Sequence, residues 1–325
     1  MANLDTFNTA LPSGLSTNHE EIALDVMLHT AITAPYKGSL PVVSSENKNP
    51  RVHMDTLPAP VATGTIEGAS LTAGGDLFAD VGDYVAQAQE WTTTGSITTQ
   101  QEAHNSAINA TYEGTVAKIS KILARNVEHT LVGSQDKVTD VQGATAGVTE
   151  GLGSFTDPTN TNFAADYRTK TDSVFTGATA DITDAALDAL IASIYGEGGE
   201  YENLTLLAWP KLRSAIVYNT TRNAGTASKV DYNVDGVGTI PYNVEMMDTA
   251  YGKMNMINSN PQTGSESFAL GYLYDPKYLS LHQIWGERLY TDLPFDGGKK
   301  VLAGSYYASH GCQGANRLGK IDATS

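Results

Sequence analysis

A chain of 325 residues with 41% hydrophobic content is long enough to bury one large core or two modest ones, which excludes a tail, a fibre or a disordered segment. Twenty Lys and Arg against 36 Asp and Glu leave a net charge of −16, which repels phosphate and argues against a protein that grips nucleic acid over a wide surface. The single Cys312 excludes an internal disulfide and a multi-thiolate metal site, and with no apolar run of about 18 residues and no signal-peptide pattern in residues 1–10, neither secretion nor a membrane is expected.

Residues 1–51 read as an arm. The first 16 are polar, with a Pro12-Ser13-Gly14 break, and residues 19–30 form a short amphipathic stretch in which Ile22, Val26 and His29 share one helical face. Pro35, Gly38, Pro41 and the polar run 44–50 follow, again without a core of their own. From 52 to 98 the pattern becomes loosely alternating and β-like. Val61, Thr63 and Thr65 precede a glycine-rich turn at 68–76, and Leu77, Ala79, Val81, Asp83 and Val85 follow it. This predicts a long two-stranded hairpin with small or polar residues on both faces, a unit that is marginal unless it packs on another surface.

The strongest helical signal covers 99–131. Ile108, Tyr112, Val116, Ile119, Leu123, Val127 and Leu131 recur at three or four residues, so one face is apolar over more than about 40 Å. The opposite face carries Lys118, Lys121 and Arg125, which reads either as a solvated helix face or as a lining turned toward packaged DNA. Residues 133–180, rich in Gly, Thr, Asp and Asn, predict loop and short strand. Asp181 or Thr183 then caps a helix carrying Leu187, Leu190, Ile191, Ile194 and Tyr195, which stops at Gly196. A buried strand at 204–208 leads into Pro210, suited to the first turn of another helix with Leu212 and Ile216. Beyond 231, β-like runs dominate at 242–247, 268–274, 278–284 and 301–310.

No arrangement of reactive residues amounts to a catalytic motif. His19, His29, His53, His104, His129, His282 and His310 are scattered, and none shows the paired spacing of a metallohydrolase helix. His310 and Cys312 alternate on one strand, but two ligands do not make a metal site. Asp231, Asn233, Asp235 and Gly236 match the first half of a calcium loop, yet Tyr242 stands where a bidentate Glu belongs, so a turn between strands is the better reading. Ser45 with Lys48 and Ser134 with Lys137 have a serine–lysine spacing that arises often by chance. The 16 tyrosines, among them Tyr272, Tyr274, Tyr278, Tyr306 and Tyr307, suit half-buried strands and interfaces better than a stacking platform. No cofactor is expected.

The order of these units resembles the major capsid proteins of tailed bacteriophages with the Hong Kong 97-type fold, an α+β architecture. Several stretches are similar to one subgroup. They are Arg51-Val-His-Met-Asp-Thr-Leu-Pro-Ala-Pro60, Ile66-Glu67-Gly68-Ala69, Ala146-Gly-Val-Thr-Glu-Gly-Leu-Gly-Ser-Phe155, and 182–199 running into Pro210-Lys211. The resemblance implies an N-terminal arm (1–51), an E-loop hairpin (52–98), a peripheral domain with a spine helix (99–180), an axial domain (181–298) and a C-terminal return to the peripheral domain (299–325). It also implies hexamers and pentamers in an icosahedral head shell around double-stranded DNA, assembled in the host cytoplasm, with each hairpin over a neighbour. The arm and hairpin would then meet other copies through Arg51, His53, Asp55, Glu67, Leu71, Phe78, Tyr84 and Trp91. Separate scaffolding, portal and decoration proteins are the further partners it implies. A cellular encapsulin shell of the same fold and, from another class, an α/β hydrolase are the rival readings.

Overall fold

The computed structural model describes residues 34–56, 67, 81–98, 112–178, 181–198, 203–223, 246–249, 251–258, 269–290 and 299–322. A four-stranded sheet runs in the order β1 (Val42–Ser44), β10 (Leu279–Tyr290), β11 (Lys299–Cys312), β4 (Gln89–Thr98), with β1 parallel to β10 and the other pairs antiparallel. The long helix α2 (Tyr112–Val132) packs against β4 and β11 and buries Ile119, Leu123, Val127 and Leu131. That is the periodic face expected from the sequence. Residues 99–111, read as its first turns, lie outside the described residues. The helix sits close because glycines face it: a Cβ on Gly304 would stand 2.8 Å from Cγ2 of Ile119, and one on Gly95 3.0 Å from its Cδ1. β4 alternates, with Trp91 and Ile97 turned inward and Glu90, Thr92, Thr94 and Ser96 exposed.

A six-stranded sheet runs β5 (Val174–Phe175), β12 (Gly319–Ile321), β9 (Gly271–Tyr274), β6 (Thr205–Ala208), β8 (Gly252–Asn258), β7 (Met246–Thr249). Helices α3 (Asp184–Gly196) and α4 (Pro210–Asn223) belong to this unit. Leu187, Leu190, Ile191, Ile194, Leu212 and Ile216 share one core with Leu206 and Leu273. The alternate residues Leu207, Tyr272 and Tyr274 join the other core, with Leu123, Val127 and Leu131 of α2. β6 and β9 are therefore covered on both faces, which is why they read as continuous apolar runs. Of the two expected caps, Thr183 is the one used: its Oγ1 accepts from the Ala186 N–H at 3.3 Å.

The third β unit is a ribbon of β2 (Arg51–Met54) and β3 (Gly82–Val85), antiparallel, with Val52 opposite Tyr84 and His53 opposite Asp83. It lies at the two ends of the expected hairpin's span; residues 57–66 and 68–80, on which the rest of that expectation falls, lie outside the described residues.

Three expectations need correction. The 52–98 segment is not one hairpin, because β4 leaves β3 and pairs along ten residues with β11. The division at 298 and 299 falls inside a sheet, since β10 and β11 are neighbours along most of their length. The chain end does not stay in the four-stranded sheet either: after β11 the chain crosses, and β12 pairs with β9 and β5 in the other one. The first and third errors share a cause, a strand assigned by its place in the chain when its partner was distant in sequence.

Candidate assembly interface

The ribbon has two faces. Val52, Met54 and Tyr84 are buried, while Arg51, His53 and Asp83 are exposed. Asp83 pairs with His53 directly across the ribbon and with Arg51 Nη1 at 3.6 Å. Asp55 and Glu67 are exposed as well, and Leu71 and Phe78 lie outside the described residues. Of the eight expected contact residues, two are not available to a neighbour. Tyr84 is fully buried and Trp91 is 5% exposed. Tyr84 stacks on Phe163 at 4.7 Å and meets Phe155 edge-on, and Trp91 Nε1 donates to Thr130 Oγ1 of α2 at 2.9 Å. Aromatic residues on a strand read equally as interface anchors or as core, and here the core holds them.

Beneath the ribbon lies a buried polar knot. Glu150 is fully buried; its Oε2 accepts from the Tyr84 hydroxyl at 2.9 Å, and its Oε1 accepts from Ser154 Oγ at 2.9 Å and from Asn162 Nδ2 at 3.2 Å, with Asn160 Nδ2 closer still. Both carboxylate oxygens thereby have hydrogen-bond donors, the condition for keeping such a group inside. The Glu150 carbonyl faces His310 Nδ1 at 3.2 Å, and a carbonyl only accepts, so Nδ1 carries the proton. Nε2 then accepts from the Tyr36 hydroxyl at 2.9 Å. Burial pulls the His310 pKa down to about 4, so the ring is neutral.

Tyr36 belongs to α1 (Pro35–Ser39), and its backbone N–H, like that of Lys37, donates to the buried Glu128 carboxylate of α2, at 2.9 and 2.8 Å. The end of the arm is therefore built into its own chain, against the expectation that residues up to 51 rest on neighbours.

On α2, Lys118 and Lys121 are exposed and Arg125 is half-buried, on the side opposite the core face. Among the described residues none of the three is paired with a carboxylate. Ile122, 37% exposed, sits between them. Among the described residues the two edge strands of the four-stranded sheet have no outer partner: β4 with its polar outward row, and β1, where Val42 and Val43 are 57% and 44% exposed.

The reactive-looking pairs are structural. Lys48 pairs with Asp140, and Lys137 Nζ donates to the Val85 carbonyl at 3.0 Å above the Tyr84 ring, so neither serves a serine. Cys312 is buried and burial pushes its thiol well up, while His310 is committed to Tyr36 and Glu150. The 231–242 loop lies outside the described residues, and among those described no three His, Cys, Asp or Glu side chains converge on a metal. The knot and the arm's anchor on Glu128 were missed from sequence. The run of 146–155 held a signal of the knot, in Thr149, Glu150 and Ser154.

The family model described as SU10 major capsid protein matches residues 42–300. Among solved structures, the capsid of the cyanophage P-SCSP1u is similar with a TM-score of 0.61 at 12% identity, covering 94% of this chain and 93% of that one. The capsid of a native GTA particle gives 0.60 at 13% identity, covering 92% of each. The SrpI encapsulin of Synechococcus elongatus PCC 7942 gives 0.55 at 14%, covering 94% and 91%. No curated protein sequence matches the chain.

Proposed function

Since the chain belongs to the SU10 major capsid protein family, we propose that copies of it close into an icosahedral head of hexamers and pentamers around double-stranded DNA. It is a phage major capsid protein with the Hong Kong 97-type fold. The observation that carries the reading is the family match across 42–300, which takes in the ribbon, α2 and the strands of both sheets up to the start of β11. The role is architectural, with no catalysis of its own. Arg51, His53, Asp55 and Glu67 supply the outward contacts between copies, each weak and multiplied by closed symmetry. Packaged DNA meets the shell through non-specific contact only, and Lys118, Lys121 and Arg125 provide it wherever that face is uncovered. Separate scaffolding, portal and decoration proteins complete the head, and assembly takes place in the host cytoplasm before the shell becomes part of the virion.

The encapsulin neighbour supports a second reading, a cellular compartment. Negative-stain microscopy and light scattering of the expressed protein, alone and with the products of neighbouring genes, decide between them. Rings, tubes or shells that protect DNA from nuclease are the expected result. Shells enclosing protein cargo and no DNA point to a compartment, and a strict monomer under every condition would overturn both.

A further inference from the structure

Among the described residues, the four-stranded sheet ends in two unlike strands. β4 is ten residues long and keeps its register with β11 through all of them, and its one charge is Glu90, with no Lys and no Pro. Edge strands of lone proteins are blunted by charges, prolines, bulges or short length, because their open N–H and C=O groups template pairing with another chain. Apart from Glu90 near its start, β4 has none of these devices. β1 is only Val-Val-Ser, and it lies bare on both faces, with Val42 57% and Val43 44% exposed. Apolar β-branched side chains on both faces of an edge strand suit a strand that another chain covers.

The two edges match in direction and in face. β1 runs parallel to β10, and β10 and β4 are each antiparallel to β11, so β1 and β4 point the same way. Val43 stands beside His282 and His282 beside Ser309, on the face of β11 that Tyr307 shares, and Tyr307 stands beside Glu90. Alternation then sets Thr92, Thr94 and Ser96 on the same side of the sheet as Val43, while α2 covers the side of Gly95 and Gly304. A second copy rotated about an axis along the strands therefore brings its β1 against β4 as a parallel pair. The sheet is not turned over, and α2 stays on one side in both copies.

We infer that β4 of one copy is paired by β1 of the next, so that the four-stranded sheet runs on from copy to copy. This contact, which rests on the shell reading, joins two different patches, and such head-to-tail joins close into rings when the rotation closes. β1 offers three residues, so one join buries far less than the roughly 1,000 Å² of a stable pair. It holds where a closed ring multiplies it.

Disulfide trapping in the full chain tests it. β10 and β11 lie between β1 and β4, and three strand spacings make about 14 Å, twice the reach of a disulfide, so a bond between these two strands joins two copies. Cys312, the native thiol, is buried and stays out of the reaction. Val43→Cys is combined in turn with Glu90→Cys, Thr92→Cys, Thr94→Cys and Ser96→Cys, oxidised under assembling conditions and read on non-reducing gels. One combination should give a ladder that ends at the pentamer or hexamer, and its position reports how far neighbouring copies are staggered. A single variant on either strand that traps efficiently as a dimer would give that edge to a two-fold contact and overturn the inference. Independently, Val42→Lys/Val43→Lys should raise the concentration needed for assembly, read by light scattering, about tenfold or more. Its urea midpoint should not move, because both side chains are exposed. If the lysine variant assembles as readily as the unmodified protein, or shells form with no trapped ladder, the inference falls and the shell reading stands. A ladder without shells does the reverse, and a chain that is neither trapped nor assembled ends both.

Discussion

On the β2–β3 ribbon, Val52, Met54 and Tyr84 turn into the protein while Arg51, His53 and Asp83, on the same two strands, face outward. Inward, the polar groups form one network: the phenol of Tyr84 donates to Glu150, which also holds Ser154, Asn160 and Asn162. Outward, Arg51, Asp83 and the His53 imidazole share a loose cluster at the surface. An interior completed within one chain and an exterior of exchangeable charges separate two properties that a shell subunit needs, folding alone and binding others. Mutations on the two faces should therefore differ in kind.

The largest effect is expected inside. Tyr84→Ala removes a ring stacked on Phe163 and touching Phe155, and it leaves Glu150 Oε2 buried without its donor. The cavity and the orphaned carboxylate together should cost about 4–5 kcal/mol, read as a lowered urea midpoint of the unassembled subunit. Assembly would be lost as a consequence. A midpoint change under about 1 kcal/mol would mean that the knot is looser than its hydrogen bonds imply.

The next effect is acid sensitivity from the same interior. His310 is neutral with its pKa lowered to about 4 by burial, so the unfolded chain, near 6.5, binds the proton more readily. Stability from this group is therefore complete above about pH 6.5 and falls as pH drops toward 4, by about 3 kcal/mol in all. Glu128 works in the opposite sense, since burial raises its pKa and its contribution fades as pH rises. His310→Gln keeps a donor for the Glu150 carbonyl and an acceptor for Tyr36, so the difference between the two proteins isolates the histidine. Urea midpoints from pH 7 to pH 4.5 should converge at the acid end, and parallel curves would exclude His310 as the source.

How much of this was legible depends on the range over which residues act. The apolar row of α2, the Thr183 cap, the Pro210 start and the buried β6 are local patterns, and the structure has them where their spacing put them. Pairings across the chain were not legible. β4 meets β11 about 200 residues away, as set by complementary shapes at Gly95, Gly304 and Ile119 that no short window contains. The same holds for the interface. Alternation along β2 singles out Arg51 and His53 as one face, but it cannot say that Tyr84 points into a pocket built by Phe155, Phe163 and Glu150, because those residues arrive from 66 or more positions on. A tyrosine near a turn and a tryptophan on a polar strand carry the same signal whether their partner is the next subunit or the next layer.

The smallest change in folding is expected on the outer face, and it gives the sharpest contrast. Arg51 and Asp83 are exposed and 3.6 Å apart, and His53 is exposed beside the same carboxylate, so water screens the cluster and its net worth to the monomer is small. Arg51→Ala with His53→Ala should move the urea midpoint by less than about 0.5 kcal/mol equivalent. Yet each subunit presents this face once, and a shell repeats it at every copy, so a loss of even about 0.5 kcal/mol per contact multiplies across a closed assembly. Light scattering should then show assembly requiring about tenfold more protein, since the critical concentration integrates all the contacts of a subunit whereas unfolding reads only one chain. If the double variant assembles at the unmodified protein's concentration, the outward charges are solvated decoration. The contact between copies is then to be sought at Asp55 and Glu67, on the β1 edge, where Val42 and Val43 are exposed, or on the polar row of β4.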